Sequence, residues 1–304
     1  MAELRTIPGG EIKIEESAMA YQKVFQRYEI KYMITEEQKA KILEAMAPYM
    51  VMDKYGESTI RNIYFDSDDY ILARHSIAKP DYKEKLRVRS YSRAGADDTV
   101  FVELKRKYDG VVYKRRVALP EADAMAWTSG ERKAPHSDSS RQMTEEIDYF
   151  LSRYGNLHPA AFLSYDREAY KMKKPSKTVY GSSLDRDFRV TFDSNVICRD
   201  YDLSLDSEVY GTQILASGMY LMELKCSGGI PVWMTQILSE LKVYKTSFSK
   251  YGTAYCMMIF PTLREQSGQE REKVRATERP SVPGKTRTAA PGAGFRAGTA
   301  AAYI

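Results

Sequence analysis

Lysine and arginine recur at alternate positions along three neighbouring stretches of this chain. They are Lys85-Leu86-Arg87-Val88-Arg89-Ser90-Tyr91, Val100-Phe101-Val102-Glu103-Leu104-Lys105-Arg106-Lys107 and Val111-Val112-Tyr113-Lys114-Arg115-Arg116. Side chains of a strand alternate faces with period two. Lys85, Arg87 and Arg89 therefore share one face, and Leu86 and Val88 the other; Glu103, Lys105 and Lys107 oppose Val102 and Leu104 in the same way. The pattern returns in Tyr165-Asp166-Arg167, Arg189-Val190-Thr191-Phe192-Asp193 and Leu221-Met222-Glu223-Leu224-Lys225. An antiparallel sheet with one wet face gives similar alternation. Arginine at the centre of the first motif points further, because its planar fork matches phosphate oxygens.

The candidate cations are Lys31, Arg87, Arg89, Lys105, Lys114, Arg167 and Arg189, with carboxylates Glu29, Glu103 and Glu223 at equivalent strand positions. Carboxylates would weaken a site for phosphate alone. They suit a hard divalent ion that bridges phosphate oxygens. Cations, carboxylates and a bridging ion together are what phosphoryl transfer needs, since that chemistry is mostly positioning and charge stabilisation. No GxxxxGK[ST] occurs and no GxGxxG follows a strand, so any phosphate cradle must be made of side chains.

Particular elements must place these groups. Val24 to Met33 predicts a strand. Thr35 is a helix N-cap with Gln38 at the capping-box position, Ile42, Leu43 and Met46 form the apolar stripe, and Pro48 stops the helix. Ile60 to Asp66 predicts a strand, and Ser67-Asp68-Asp69 caps a short helix through Leu72. Asp109-Gly110 is a hairpin turn. Residues 120–140 read as a short helix and a polar loop, and Thr144 to Tyr154 as a helix ended by Gly155. Ala161 to Tyr170, Thr178-Val179-Tyr180, Phe188 to Phe192 and Met219 to Lys225 predict strands; Lys171 to Ser176 is a turn. Pro231 opens a helix to about Tyr244, with Trp233 and Met234 in the core. The expected class is α+β, with about eight or nine strands in series. A closed antiparallel barrel of about eight strands, with helices outside, has a lumen that can hold one small ligand. A charged lumen must be wet or filled by an anion with metal ions.

The chain has 304 residues, 43% hydrophobic, enough for a sizeable core. Its formal charge of +5 is uneven: residues 261–304 carry eight basic and four acidic residues, which leaves the rest at +1. A body so balanced excludes a general nucleic-acid coat, and no nucleic-acid partner is expected. Cys198, Cys226 and Cys256 lack CxxC spacing, and His75, His136 and His158 are not paired as metal ligands. No apolar run is long enough for a membrane helix and no signal peptide opens the chain, so a cytoplasmic protein is expected. Residues 1–22 read as a flexible segment and 261–304 as a disordered basic tail.

Seven motifs carry a family resemblance. They are Arg27-Tyr28-Glu29-Ile30-Lys31-Tyr32, Lys85-Leu86-Arg87-Val88-Arg89, Val102-Glu103-Leu104-Lys105, Ser164-Tyr165-Asp166-Arg167, Arg189-Val190-Thr191-Phe192-Asp193, Met222-Glu223-Leu224-Lys225 and Ser247-Phe248-Ser249-Lys250-Tyr251-Gly252. In this order they resemble the VTC domain, the polyphosphate polymerase branch of the triphosphate tunnel metalloenzymes, over a catalytic domain of residues 23–260. The resemblance implies an eight-stranded antiparallel β-barrel tunnel with a basic lumen. It also implies transfer of the γ-phosphate of ATP to a growing inorganic polyphosphate chain, with Mn²⁺ or Mg²⁺ as cofactor. Pyrophosphate or orthophosphate would be further small ligands. Lys31, Arg87, Arg89, Lys105, Lys114, Arg167 and Arg189 would hold the triphosphate, and Tyr165 would bond a phosphate oxygen. Glu223 would hold the metal, with Glu103 and Glu29 as further ligands, and Ser249 and Lys250 would place the acceptor. Arg87, Arg89, Glu223 and Lys250 would be the catalytic set.

The wider superfamily opens with Glu-x-Glu-x-Lys, whereas Arg27 stands here at the first Glu. That exchange disfavours a two-metal triphosphatase and an adenylate cyclase. A metal-dependent triphosphatase and a non-catalytic polyphosphate-binding module are the rival expectations. Product export would require a separate membrane protein partner, which would hold the chain at the inner face of the membrane.

Overall fold

The computed structural model describes residues 28–109, 111–134, 140–173 and 187–265. The expected strand at Thr178-Val179-Tyr180, residues 1–22, Arg27 and most of the basic tail lie outside the described residues. The chain divides into Met1–Phe260 and Pro261–Ile304; of the second unit residues 261–265 are described, and they are helical.

In the first unit the strands are β1 (Tyr28–Thr35), β2 (Met50–Asp66), β3 (Tyr82–Ser90), β4 (Thr99–Tyr108), β5 (Val111–Pro120), β6 (His158–Met172), β7 (Arg189–Arg199), β8 (Thr212–Gln213), β9 (Met219–Cys226) and β10 (Lys245–Thr246). The helices are α1 (Glu36–Met46), α2 (Ile71–Ala78), α3 (Glu121–Thr128), α4 (Arg141–Tyr154), α5 (Val232–Glu240) and α6 (Lys250–Ala254), which runs into a π-helical turn, Tyr255–Ile259. One sheet joins the strands in the order β10-β1-β9-β7-β6-β2-β3-β4-β5, with β8 beside β7.

The expectation of a closed eight-stranded barrel is corrected on both counts. Among the described residues the sheet has ten strands, of which β8 and β10 are only two residues long. Their hydrogen-bonded path is open, ending at β5 on one side and β10 on the other. Side chains span the gap instead: Lys105 of β4 reaches Glu29 of β1 at 2.5 Å, and Lys85 of β3 reaches Ser249 at 2.9 Å. The sheet is thus rolled by its right-handed twist and tied by charge rather than by a final ladder.

The apolar face of the sheet turns outward against the helices. Ile63, Phe65, Leu86, Val88, Val102 and Leu104 pack with Ala124 and Trp127 of α3 and with Ile147 and Phe150 of α4. Tyr32, Ile34, Val190, Phe192, Met222 and Leu224 pack with Ile42 and Met46 of α1 and with Met234 and Leu238 of α5. Each fully buried Leu, Ile or Phe here contributes roughly 1.5–3 kcal/mol. That burial fixes strand register, because a one-residue slip would exchange the apolar and cationic faces.

Local rules set the ends. Thr35 and Gln38 form the expected capping box: Gln38 N donates to Thr35 Oγ1 at 3.2 Å, and Thr35 N donates to Gln38 Oε1 at 3.0 Å. Such a cap contributes about 1 kcal/mol. Gly155, at φ 74, ends α4, and Asp109, at φ 43, takes the left-handed hairpin position after β4. The helix expected through Leu72 instead starts at Ile71. The expected Ser67 does cap it, its Oγ accepting from Ile71 N at 3.3 Å, and Asp66, at the end of β2, adds a carboxylate that accepts from Ser67, Leu72 and Ala73 amides at 2.8–2.9 Å. The helix after Pro231 stops at Glu240, short of Tyr244.

Candidate polyanion site

The inward positions of the rolled sheet, with the segment from Lys245 to Tyr251, line a cavity of about 470 Å³. Ten lysines and three arginines reach its wall against two carboxylates, Glu29 and Glu223. Three anionic anchors organise these cations.

The first anchor is Glu103, 1% exposed, at the centre of β4. Register sets Arg87 of β3 and Arg116 of β5 directly beside it. Arg87 donates through Nε at 3.0 Å and Nη2 at 2.8 Å, Arg116 through Nε at 2.7 Å, and Lys114 Nζ stands at 2.7 Å. Burial pushes the Glu103 carboxyl up, but Arg87, Arg89, Lys114 and Arg116 outweigh it and hold it well below the usual carboxylate range. Arg87 also donates to Tyr64 at 2.9 Å, and Arg89 bridges Asn62 and the Tyr165 hydroxyl, both at 2.9 Å.

The second anchor is Asp193 of β7, fully buried. It accepts two parallel bonds from Arg167, at 2.6 and 2.7 Å, and one from Lys250 at 2.5 Å. Lys250 Nζ lies 4.4 Å from the centre of the Tyr165 ring, on which Arg167 also sits at 5.2 Å. Burial pushes the Tyr165 phenol up, yet Arg89, Arg167 and Lys250 together bring it down to about 8.

The third anchor is the pair Glu29 and Glu223 on the adjoining strands β1 and β9. Glu223 lies 3.3 Å from Lys31 and 3.4 Å from Lys225, and Glu29 holds Lys105. Burial raises both carboxyls, but the lysines dominate: Glu29 falls to about 2 and Glu223 well below its ordinary range.

Two lysines have the opposite tendency. Lys114 is open to the lumen but ringed by protein; desolvation first, then Arg87, Arg89 and Arg116, bring its ammonium down to about 7 against the pull of Glu103. Lys85 is held well below the usual lysine range by burial and by Lys31, Lys105 and Arg87. Among the described residues no carboxylate pairs with it, and its ammonium donates to Ser249 Oγ.

The segment before α6 crosses the lumen. Lys31 donates to the Phe248 carbonyl at 2.7 Å. Ser249 caps α6 through the Gly252 amide. Tyr251 stacks on Tyr64 at 4.6 Å and donates to Asp66 at 2.7 Å, which ties α6 to the cap of α2.

Of the residues expected from the sequence, Lys31, Arg87, Arg89, Lys105, Lys114, Tyr165, Arg167, Ser249, Lys250, Glu29 and Glu223 line this one cavity. Arg189 does not: it opens β7 in an exposed position outside the cavity lining, and Thr191 and Asp193, on the same strand face, are buried behind the wall. Glu103 lies behind the wall with both oxygens engaged by cations, which is a poor arrangement for a metal ligand. Asn62, Tyr64 and Asp193 are not singled out by the sequence, and Lys85, on the cationic face with Arg87 and Arg89, is not among the candidate ligand-binding cations. Alternation alone could have found Asp193, since residues 189, 191 and 193 share a face.

Among the described residues no group of three or more His, Cys, Asp or Glu could hold a metal ion. Among the described residues Glu29 and Glu103 are both engaged by cations. Glu223 lines the cavity with Lys31 and Lys225 at 3.3 and 3.4 Å, and would be the carboxylate to face an ion carried by a phosphorylated ligand.

The VTC domain family matches residues 26–259. Subunit 4 of the vacuolar transporter chaperone complex of Trypanosoma brucei brucei (strain 927/4 GUTat10.1) is 22% identical over 269 residues, which cover 75% of this chain and 34% of that protein. The chain thus spans about a third of the length of that relative. Among solved structures, a candidate adenylate cyclase from Bacillus halodurans superposes with a TM-score of 0.42 at 14% identity, over 74% of this chain and 95% of that one. The triphosphatase of the Mimivirus capping enzyme gives 0.29 at 10% identity, over 71% and 85%. Likenesses this distant add nothing to the reading of the site. Among the described residues no helix is long and apolar enough to cross a membrane.

Proposed function

We propose, for a chain that belongs to the VTC domain family, that it is an ATP-dependent inorganic polyphosphate polymerase. The observation that carries this reading is a cavity wall of thirteen lysines and arginines against four carboxylates, Glu29 and Glu223 in the wall and Glu103 and Asp193 behind it, an excess of cations that persists even with Lys85 and Lys114 neutral. A nucleoside triphosphate brings about four negative charges at neutral pH, one on each inner phosphate and about two on the last. The wall therefore has charge left for a second polyanion beside the first. A hydrolase does not need that surplus, whereas a transferase that extends a phosphate chain does.

In the proposed reaction, Arg87, Arg89 and Arg167 grip the triphosphate, with Lys31, Lys105 and Lys114 completing the ring. Ser249 and Lys250 place the acceptor. An oxygen of the acceptor's terminal phosphate forms a bond to the γ-phosphorus, the bond from that phosphorus to the β-bridging oxygen breaks, and ADP leaves. The attacking oxygen already carries its electron pair, so no protein base or nucleophile is required. Charge spread over the transferred group is met by fixed guanidinium and ammonium donors, the main contribution a protein makes to such a step. A Mn²⁺ or Mg²⁺ ion arriving with the nucleotide would neutralise phosphate charge beside Glu223. Export of the polymer would fall to a separate membrane protein at the inner face of the membrane; that the chain's relative is a subunit of a complex supports such an assembly.

The test is incubation of the chain with ATP and Mn²⁺, followed by separation of polymer from orthophosphate. Polymer made by the wild type, and lost in Arg167→Ala, supports the reading. Orthophosphate alone would mean a triphosphatase, and tight binding without turnover a polyphosphate-binding module.

A further inference from the structure

A carboxylate deep in a polyanion site works against the site's own affinity, and Asp193 is the most buried of those here. We propose that Asp193 is a positioning residue that aims Arg167 and Lys250 at one phosphoryl group while lowering the affinity of the tunnel for anions. The inference rests on the polymerase reading for the identity of that group.

The geometry differs from that of the other anchors. Glu103 ties cations of neighbouring strands that the sheet ladder already holds. Asp193 also has its ladder partner, Arg167 of β6, but in addition it reaches a cation that no ladder holds, Lys250, which begins α6. Both Asp193 oxygens are used, Oδ1 for Arg167 Nε and Oδ2 for Arg167 Nη2 and Lys250 Nζ. A bidentate fork fixes the plane of a guanidinium as well as its place. With Nε and Nη2 held, Nη1 has no protein partner among the described residues and is the donor available to a ligand. Lys250 is fixed likewise, between Asp193 and the Tyr165 ring.

Two long cations brought to one phosphoryl group would otherwise repel each other and sample many rotamers. The carboxylate between them removes both penalties before the substrate arrives. Its charge opposes the incoming anion in the ground state, whereas the orientation it enforces acts on the transition state. Binding and turnover should therefore respond to its loss in opposite directions.

The test uses the full chain, with tripolyphosphate titrated calorimetrically at low salt and polymer formation from ATP and Mn²⁺ followed in parallel. Asp193→Asn is expected to bind tripolyphosphate about tenfold more tightly, an advantage that shrinks as salt rises. Its kcat for polymer formation is expected to fall by about a hundredfold without a rise in KM. Asp193→Glu keeps the charge and misplaces it, so its affinity should stay near wild type while its kcat still falls. An Asn variant that binds more weakly, or that makes polymer at the wild-type rate, overturns the proposal. Should the Asn variant not fold, a wild-type kcat in the Glu variant overturns it equally. A wild-type chain that binds tripolyphosphate but makes no polymer ends the polymerase reading. The affinity comparison then decides the inference alone, tighter binding by Asn supporting it and unchanged or weaker binding overturning it.

Discussion

Glu103→Gln should destabilise the fold more than it disturbs any metal dependence. The Glu103 carboxylate accepts from Arg87, Arg116 and Lys114 within 3.0 Å, and Arg89 stands 3.7 Å away. A neutral amide leaves these cations facing one another with the shared anion gone. Removing one partner of a buried ion cluster costs roughly 3–5 kcal/mol. Lumen water reaches Lys114 and Arg116, whose side chains are 40% and 36% exposed, so about 3 kcal/mol is the reasonable figure. For a domain of this size each kcal/mol shifts Tm by about 2–4 °C, giving a fall of about 6–12 °C. The assay is thermal unfolding without added divalent ion, repeated with tripolyphosphate, which can supply negative charge to the stranded cations. The variant should gain more from tripolyphosphate than the wild type does. An unchanged Tm in ion-free buffer would refute the anchor role and return Glu103 to the metal ligands.

Anion binding should weaken as pH rises from 6 to 9. Lys114, at about 7, loses its charge across the lower part of that range, and Tyr165, at about 8, gains a negative charge across the upper part. Both changes oppose a polyanion, so tripolyphosphate affinity measured against pH should fall throughout; a rise would contradict the assignment of either group to the site. Glu223→Gln should raise the Mn²⁺ concentration needed for half-maximal polymer formation, and an identical metal titration would remove Glu223 from contact with the ion.

Much of this was legible because strand alternation is a strict rule. Lys85, Arg87 and Arg89 had to share a face once Leu86 and Val88 were buried, and the structure sets them so. The Thr35–Gln38 capping box was equally local. What sequence did not reveal depends on distance along the chain. The start of α2 is set by Asp66, reached through three amides and the Tyr251 hydroxyl, 185 residues away. The open sheet follows from edges that meet through Lys105 and Glu29 rather than through amides. Type and spacing cannot report which cations crowd a carboxylate, and at Glu103 these are Arg87, Arg116 and Lys114. Arg189 has the right parity but is exposed at the start of β7 and does not line the cavity.

The most direct measurement is calorimetric titration of the chain with tripolyphosphate at two salt concentrations, in wild type and Arg87→Ala. The expected result is saturable binding by the wild type that weakens with salt, and loss of at least tenfold in affinity in a variant that remains folded. Absence of binding, or equal binding by both proteins, would contradict a tunnel built to hold a polyphosphorylated guest.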